Sequence, residues 1–147
     1  LIIDRNREGT KIRKIIIVKL NQIEKLVFKV NKILPKAIKL HKNKINDKFK
    51  AALINLDQDR LKQELLIFIQ KGDVEEELDR LGAHISELRR LLNNSEPVGK
   101  KIDFLMQEFN REANTLGSKS ISKDISQISI NLKVLIDQIR EQIQNIE

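Results

Sequence analysis

The chain has 147 residues and a net charge of +7, a length that suits one domain with a modest hydrophobic core. It has no cysteine, which excludes disulfides and thiolate metal sites and fits a cytoplasmic location. The absence of Trp and Tyr argues against a sheet of aromatic residues that stack on RNA bases, and no apolar run approaches the roughly 20 residues of a membrane span.

The positive charge is concentrated in the first third of the chain. Residues 1–50 contain 15 Lys and Arg against 4 Asp and Glu, whereas residues 51–100 contain 7 against 10 and residues 101–147 contain 6 against 7. A basic arm beside an acidic-to-neutral body is typical of a protein that binds a polyanion. The alternative is that an AT-rich genome produces the surplus of Lys, Ile and Asn without selection.

The first predicted element is a long helix from near Glu8 to about Asn55, interrupted or kinked at Pro35. Its apolar residues recur by threes and fours at Ile16, Leu20, Ile23, Val27, Val30 and Leu34. If the helix continues through the proline, one polar face carries Lys25, Lys29, Lys32, Lys36 and Lys39. Such a ridge can contact successive RNA phosphates without reading bases, and the alternative is a solvated lysine face.

Two shorter helices are predicted next. Asn55 or Asp57 is placed to cap the first, and Gly72 predicts a break before a second helix that is capped by Asp73. The apolar positions of the first are Leu61, Leu65 and Ile69. Those of the second are Val74, Leu78, Leu81, Ile85, Leu88 and Leu92.

The stretch GKKIDFLMQEFNREANTLGSKS, residues 99–120, predicts an amphipathic helix that ends at Gly117. Its apolar stripe consists of Ile102, Leu105, Met106, Phe109, Ala113 and Leu116. On the nearly opposite side lie Asp103, Gln107, Asn110, Arg111, Asn114 and Ser118. Short polar residues such as Asn, Ser and Asp are poor helix formers, so this face is selected for something other than helix stability.

The last predicted helix is capped by Ser120 or Ser122 and has a regular apolar seam. The seam consists of Ile121, Ile125, Ile128, Leu132, Leu135, Ile139, Ile143 and Ile146. It can serve either an oligomer interface or the chain's own core. The predicted fold is therefore all-α, an elongated bundle of four to six helices with a basic helical arm over 1–54 and a helical domain over 55–147.

Two groups of carboxylates are placed to bind a metal. Carboxylate oxygens are the ligands that hard divalent ions such as Mg²⁺ and Mn²⁺ prefer. Glu76 and Glu77 lie one turn before Arg80 and two turns before His84. The second group is Asp103, Glu108 and Glu112. If the two helices pack antiparallel, both groups line one cleft. The alternatives are that Glu76 and Glu77 are acids that favour a helix N-terminus, that Arg80 forms a surface ion pair with them, and that His84 is inert.

Three strings carry a family resemblance: DVEEELDRL at 73–81 with His84, EPVGKKIDFLMQEFNREANTLGSKS at 96–120, and LIDQIREQIQNIE at 135–147. They resemble the C-terminal half of the YicC/YloC-like bacterial proteins, strongly over about 55–147 and only loosely before that, through DRNREG at 4–9. Members are described as divalent-metal endoribonucleases that are oligomeric and carry an additional N-terminal domain. The resemblance therefore predicts a homo-oligomeric, metal-dependent endoribonuclease, and the chain is interpreted as a fragment or truncated copy.

The resemblance also assigns residues. Glu77, Glu108 and Glu112 are expected to hold Mg²⁺ or Mn²⁺, with Asp103 as a further ligand or an orienting group and His84 as a proton relay. RNA contacts are expected from Arg80, Lys101, Gln107, Arg111, Asn114 and Lys119, and from Lys25, Lys29, Lys32 and Lys36 of the arm. Two alternatives from other classes remain: a non-catalytic helical module for RNA binding or oligomer assembly, and an inactive or purely structural coiled-coil-like remnant.

Overall fold

A computed structural model describes residues 2–51, 57–93 and 99–145, with the side chains of residues 2–6 and 57 left aside. Four helices make up nearly all of these ranges: α1 (Ile2–Ala51), α2 (Asp57–Leu92), α3 (Gly99–Ser118) and α4 (Lys123–Gln144). No strand occurs among the described residues. The all-α prediction with a long basic first helix is confirmed, while the cap at Asn55 or Asp57 and the seam position Ile146 lie outside what is described.

Helix α1 continues through Pro35, although the sequence predicted an interruption or kink there. A proline inside a helix removes one backbone hydrogen bond, at a cost of about 3 kcal/mol. Burial of residues on both sides of Pro35 offsets that cost, because Leu34, Ala37 and Ile38 all lie in the core. All six apolar positions predicted earlier on this helix are also buried.

Helix α2 also continues through Gly72, so the predicted break before Asp73 is wrong. Ile67 and Val74 are seven residues apart on one face and both are buried in the same core, which favours an uninterrupted helix between them. That packing outweighs the roughly 1 kcal/mol that a helical glycine costs. The apolar positions predicted for the first part of α2 are exposed, because they lie on the side of the helix opposite Ile67: Leu61, Leu65 and Ile69.

The helices form a ring in which α1 and α3 each pack against both α2 and α4, with one shared hydrophobic core. Consecutive helices run antiparallel. Arg89 near the end of α2 donates to Glu24 in the first half of α1, with 2.9 Å between Nη2 and Oε2. Asp103 at the start of α3 lies opposite Arg140 near the end of α4. The predicted division at residues 54 and 55 stays a prediction, since α1 contributes to the same core.

Helix α4 begins at Lys123 and is capped by Ser122, one of the two predicted caps, whose Oγ accepts a hydrogen bond from the backbone N–H of Ile125 at 3.1 Å. Its apolar seam lies in the chain's own core. Close contact with α3 is fixed by the buried Ser129, whose Oγ donates to the carbonyl of Ala113 at 2.7 Å. At Gly117 a Cβ would lie only 2.6 Å from that Oγ, so the crossing requires glycine. No helix in the described ranges is long and apolar enough to cross a membrane.

Candidate metal centre

The face shared by α2 and α3 gathers most of the predicted site residues. The two helices are antiparallel, because Asp73 near the middle of α2 pairs with Lys119 after the end of α3, with 3.6 Å between Oδ2 and Nζ. Arg80, about two turns further along α2, lies opposite Glu112. The antiparallel pairing on which the predicted cleft depended is therefore present.

Three side chains on this face converge. His84 of α2 and the pair Glu108 and Glu112 of α3 each offer one ligand atom, and these atoms all lie within 4.8 Å of one another. Nε2 of His84 is 3.9 Å from Oε1 of Glu112. Glu108 and Glu112 are four residues apart and so stack on one side of α3, facing the imidazole. This geometry could hold one metal ion.

Two of the carboxylates are buried. Glu77 is 3% exposed and Glu112 is 4% exposed. A single guanidinium lies between them: Nη1 of Arg80 is 3.4 Å from Oε1 of Glu77 and 3.7 Å from Oε2 of Glu112, and its Nη2 donates to Glu76. Oε2 of Glu77 has no hydrogen-bond partner among the described residues. Burying carboxylates with so few partners is unfavourable, which makes this arrangement an indication of function rather than of stability.

The formal charge of the cluster is negative. Four carboxylates belong to it, those of Glu76, Glu77, Glu108 and Glu112. Among the described side chains, two guanidiniums oppose them: Arg80, and Arg111, whose Nη1 is 4.0 Å from Glu108. The excess of two negative charges matches the charge of a divalent cation.

Burial lowers the pKa of His84 below its ordinary value; the Glu108 carboxylate acts in the opposite direction and Arg80 adds to the lowering. The imidazole is therefore neutral at pH 7, the form that binds metals. Its Nε2 is buried without a hydrogen-bond partner in the described part of the chain. The ring of Phe109 packs against it at 5.6 Å between centroids and an angle of 54°, which fixes the imidazole in place.

Asp103 lies apart from this group. It is on the other flank of α3, where its Oδ1 is 3.6 Å from Nε of Arg140 on α4. Glu77 also lies outside the three converging ligand atoms and contacts Arg80 instead. The structure thus brings together Glu108, Glu112 and the predicted proton relay His84, while ligand roles for Glu77 and Asp103 stay predictions.

The predicted RNA-binding residues occupy three places. Lys101 and Lys119 share the flank of α3 that carries Glu108, about 27 Å apart along the axis, with the metal-ligand group between them. Gln107, Arg111 and Asn114 are exposed on the outer side of α3. Arg80 is surrounded by carboxylates. The predicted arm residues are exposed on α1, away from this face: Lys25, Lys29, Lys32 and Lys36.

The sequence-based interpretation missed two features of the site. It assigned His84 to proton transfer and did not place its Nε2 among the ligand atoms. It also did not anticipate that Glu112 is buried. One signal was available for the second feature, because Glu112 lies at the edge of the apolar stripe, between Phe109 and Leu116.

Comparison with known proteins places these residues in a family context. Residues 30–147 match the family described as "Endoribonuclease YicC-like, C-terminal". The chain is 46% identical over 143 residues to a "Probable endoribonuclease YicC" of Haemophilus influenzae, and 34% identical over 146 residues to one of Clostridioides difficile. Each alignment covers 97% of this chain and 50% of the relative. The chain therefore spans about half the length of these curated relatives.

Proposed function

Because the chain belongs to the family of YicC-like endoribonucleases, we propose that it takes part in metal-dependent cleavage of RNA phosphodiester bonds, with the metal at His84, Glu108 and Glu112. The observation that carries this proposal is the convergence of three ligand atoms within 4.8 Å. The buried Nε2 of His84, without a hydrogen-bond partner in the described ranges, supports it. The excess of carboxylates over guanidiniums supports it as well.

The donor set fits a divalent cation. Mg²⁺ and Mn²⁺ both prefer carboxylate oxygens, and an imidazole nitrogen in the set favours the transition ion Mn²⁺ over Mg²⁺. When bound, such an ion supplies a Lewis acid that polarises a phosphoryl oxygen and offsets the charge that develops during cleavage.

Arg80 orients the carboxylates in this proposal. Its Nη1 faces Oε2 of Glu112, which leaves Oε1 of the same carboxylate directed at His84. Glu77 holds Arg80 from the other side at 3.4 Å. A guanidinium fork restrains carboxylates in a defined orientation, so Arg80 and Glu77 are positioning residues rather than ligands.

RNA phosphates are proposed to bind along the same flank of α3. Lys101 and Lys119 offer point charges on either side of the metal-ligand group, and Arg111 offers a forked contact from the outer face. We assign His84 to metal binding rather than proton transfer, because both roles need the Nε2 atom that faces Glu112.

A second candidate function is a non-catalytic module for RNA binding or homo-oligomer assembly. The exposed lysines of α1 favour RNA binding, which does not need the metal-ligand group. Exposed apolar residues on the first half of α2 favour assembly: Leu61, Leu65, Leu66, Phe68 and Ile69.

The test is cleavage of a labelled structured RNA with Mn²⁺ or Mg²⁺, with and without chelator. The protein as it stands and the control Glu141→Ala, which removes an exposed acid of α4, are expected to cleave only with metal. Glu108→Ala is expected to lose cleavage by more than about 100-fold at unchanged helicity. Equal cleavage by Glu108→Ala would contradict the metal site, and RNA binding without cleavage by any form would favour the second function.

A further inference from the structure

The outer face of α1 contains an aromatic side chain in an unusual setting. Phe28 is 59% exposed on a helix where lysine is the most frequent of the exposed residues. Nζ of Lys32 lies 4.7 Å from the centroid of its ring, a cation–π contact. The ring is therefore held at the surface beside a positive charge.

Several lysines share this face with Phe28. At about 100° per residue, Lys25, Lys32 and Lys39 all lie within about 60° of Phe28 around the helix axis. From Lys25 to Lys39 the face is about 21 Å long. Lys29 and Lys36 flank it on one side, and all five lysines are exposed.

These lysines are not neutralised. Among the described side chains, none of the five forms an ion pair with a carboxylate, whereas Arg60, Lys71 and Arg90 of α2 each pair with a glutamate of their own helix. The face points away from the core, since the buried residues of α1 lie on its opposite side. It is also separate from the face shared by α2 and α3.

We propose that this face of α1 binds single-stranded RNA, with Phe28 stacking on an unpaired base and the lysines binding flanking phosphates. An exposed ring among cations fits a nucleotide because every base has a stacking face and every linkage a negative charge. The bases of a duplex are already stacked within the helix and cannot reach the ring. This inference deepens the proposed function by naming the class of RNA, and it rests on RNA being the ligand of the chain.

The experiment measures binding without metal, in EDTA, so that its outcome is independent of cleavage. The probe is a ten-nucleotide unstructured RNA with a central 2-aminopurine, a base whose fluorescence falls when it stacks. The chain has no Trp or Tyr, so its own emission does not interfere. The reference probe is a duplex of the same length.

Phe28→Ala is expected to weaken single-strand binding by about 5- to 100-fold and to abolish the fluorescence change, while duplex binding stays within about twofold. Phe28→Tyr, which keeps a ring, is expected to bind as the parent does. The matched control is Phe68→Ala on α2, which removes a ring that is 71% exposed. It is expected to leave the affinity for both probes unchanged. Alanine favours helix, and circular dichroism verifies that α1 persists.

Three outcomes would overturn the inference. The first is that Phe28→Ala and Phe68→Ala bind the single-stranded probe with equal affinity. The second is an equal loss of affinity of Phe28→Ala for the single strand and for the duplex, which would mean that the ring does not recognise unpaired bases. The third is binding to anionic phospholipid vesicles with no binding to either RNA. Metal-dependent cleavage can persist in the first two cases, which separates this inference from the proposed function; the third outcome would contradict both.

Discussion

The face shared by α2 and α3 and the outer face of α1 carry charge of opposite sign in different settings. On the face shared by α2 and α3, two carboxylates are buried and share one cation, since Glu77 and Glu112 both contact Arg80. On α1, lysines such as Lys25 and Lys29 stand exposed, without a carboxylate partner in the described residues. The first arrangement suits a small cation in a fixed geometry, and the second suits a flexible polyanion. The net charge of +7 conceals this separation.

Paired charges on α2 provide the reference for both regions. Arg60 lies 3.9 Å from Glu64, and Arg90 lies 2.7 Å from Glu87, all within one helix. Such exposed pairs contribute little to stability and leave no net field. Unmatched charge is therefore a local property of the face shared by α2 and α3 and of the outer face of α1, and in each region it can be removed by substitution.

The largest expected effect is on metal affinity. Glu112→Gln keeps the shape of the side chain but removes the charge, and Mn²⁺ affinity measured by calorimetry is expected to fall by more than about 100-fold, since loss of a second-shell partner alone costs 10- to 100-fold. Asp103→Asn, which alters a carboxylate on the other flank of α3, is expected to change it less than about threefold. Equal losses in the two variants would contradict the separation of the flanks.

The next effect is on stability. Arg80→Gln leaves the buried Glu77 and Glu112 without their shared cation, and the free energy of unfolding in urea is expected to fall by about 3 kcal/mol. Mn²⁺ is expected to restore part of the loss. Arg60→Gln, which breaks an exposed pair, is expected to cost less than about 0.5 kcal/mol. A cost for Arg80→Gln as small as that of Arg60→Gln would show that the buried carboxylates of Glu77 and Glu112 need no cation.

On α1 the expected effect is on salt dependence. Replacing Lys25, Lys29 and Lys36 together by glutamine is expected to lower the slope of log affinity against log salt by about 0.7 per lysine for single-stranded RNA. The control Lys71→Gln removes a lysine that is paired with Glu75 and is expected to change the slope by less than 0.3. An unchanged slope in the triple variant would mean that α1 is only a solvated face.

The smallest effect is the pH dependence contributed by His84. Burial lowers its pKa in the folded state, so the unfolded chain takes up a proton first as the pH falls. Above the ordinary pKa of about 6.5 His84 is neutral in both states and does not change the stability. As the pH falls from there towards the lowered pKa, the free energy of unfolding decreases. His84→Gln is expected to remove this part of the pH dependence in urea unfolding at pH 5 and 7. An identical pH dependence in both proteins would contradict the lowered pKa.

Periodicity predicted most of the buried faces, because burial depends on spacing within one helix. The exception is the first part of α2, where Leu61, Leu65 and Ile69 are exposed. The stripe that includes Leu20 and Leu34 on α1 and the stripe of α3 were predicted residue by residue, and Ser122 is one of the two serines that were predicted as caps. Spacing failed where packing overrode a local signal. Gly72 lies inside α2 because residues on both sides of it are buried in one core.

The metal-ligand group could be predicted only in part. The sequence placed Glu108 and Glu112 on one side of α3, and the same helical spacing puts Asp103 on the other flank. Which residue of α2 lies opposite them depends on the register of two packed helices, which spacing within either helix does not contain. The position of His84 beside Glu112 therefore had to come from the structure.

Paramagnetic broadening by Mn²⁺ tests the central claim most directly, because the chain has only two histidines, His84 and His41. At substoichiometric Mn²⁺, the ring-proton signals of His84 are expected to disappear from the NMR spectrum while those of His41, on α1, persist. If both histidines keep their signals, or lose them together, no metal site lies between α2 and α3.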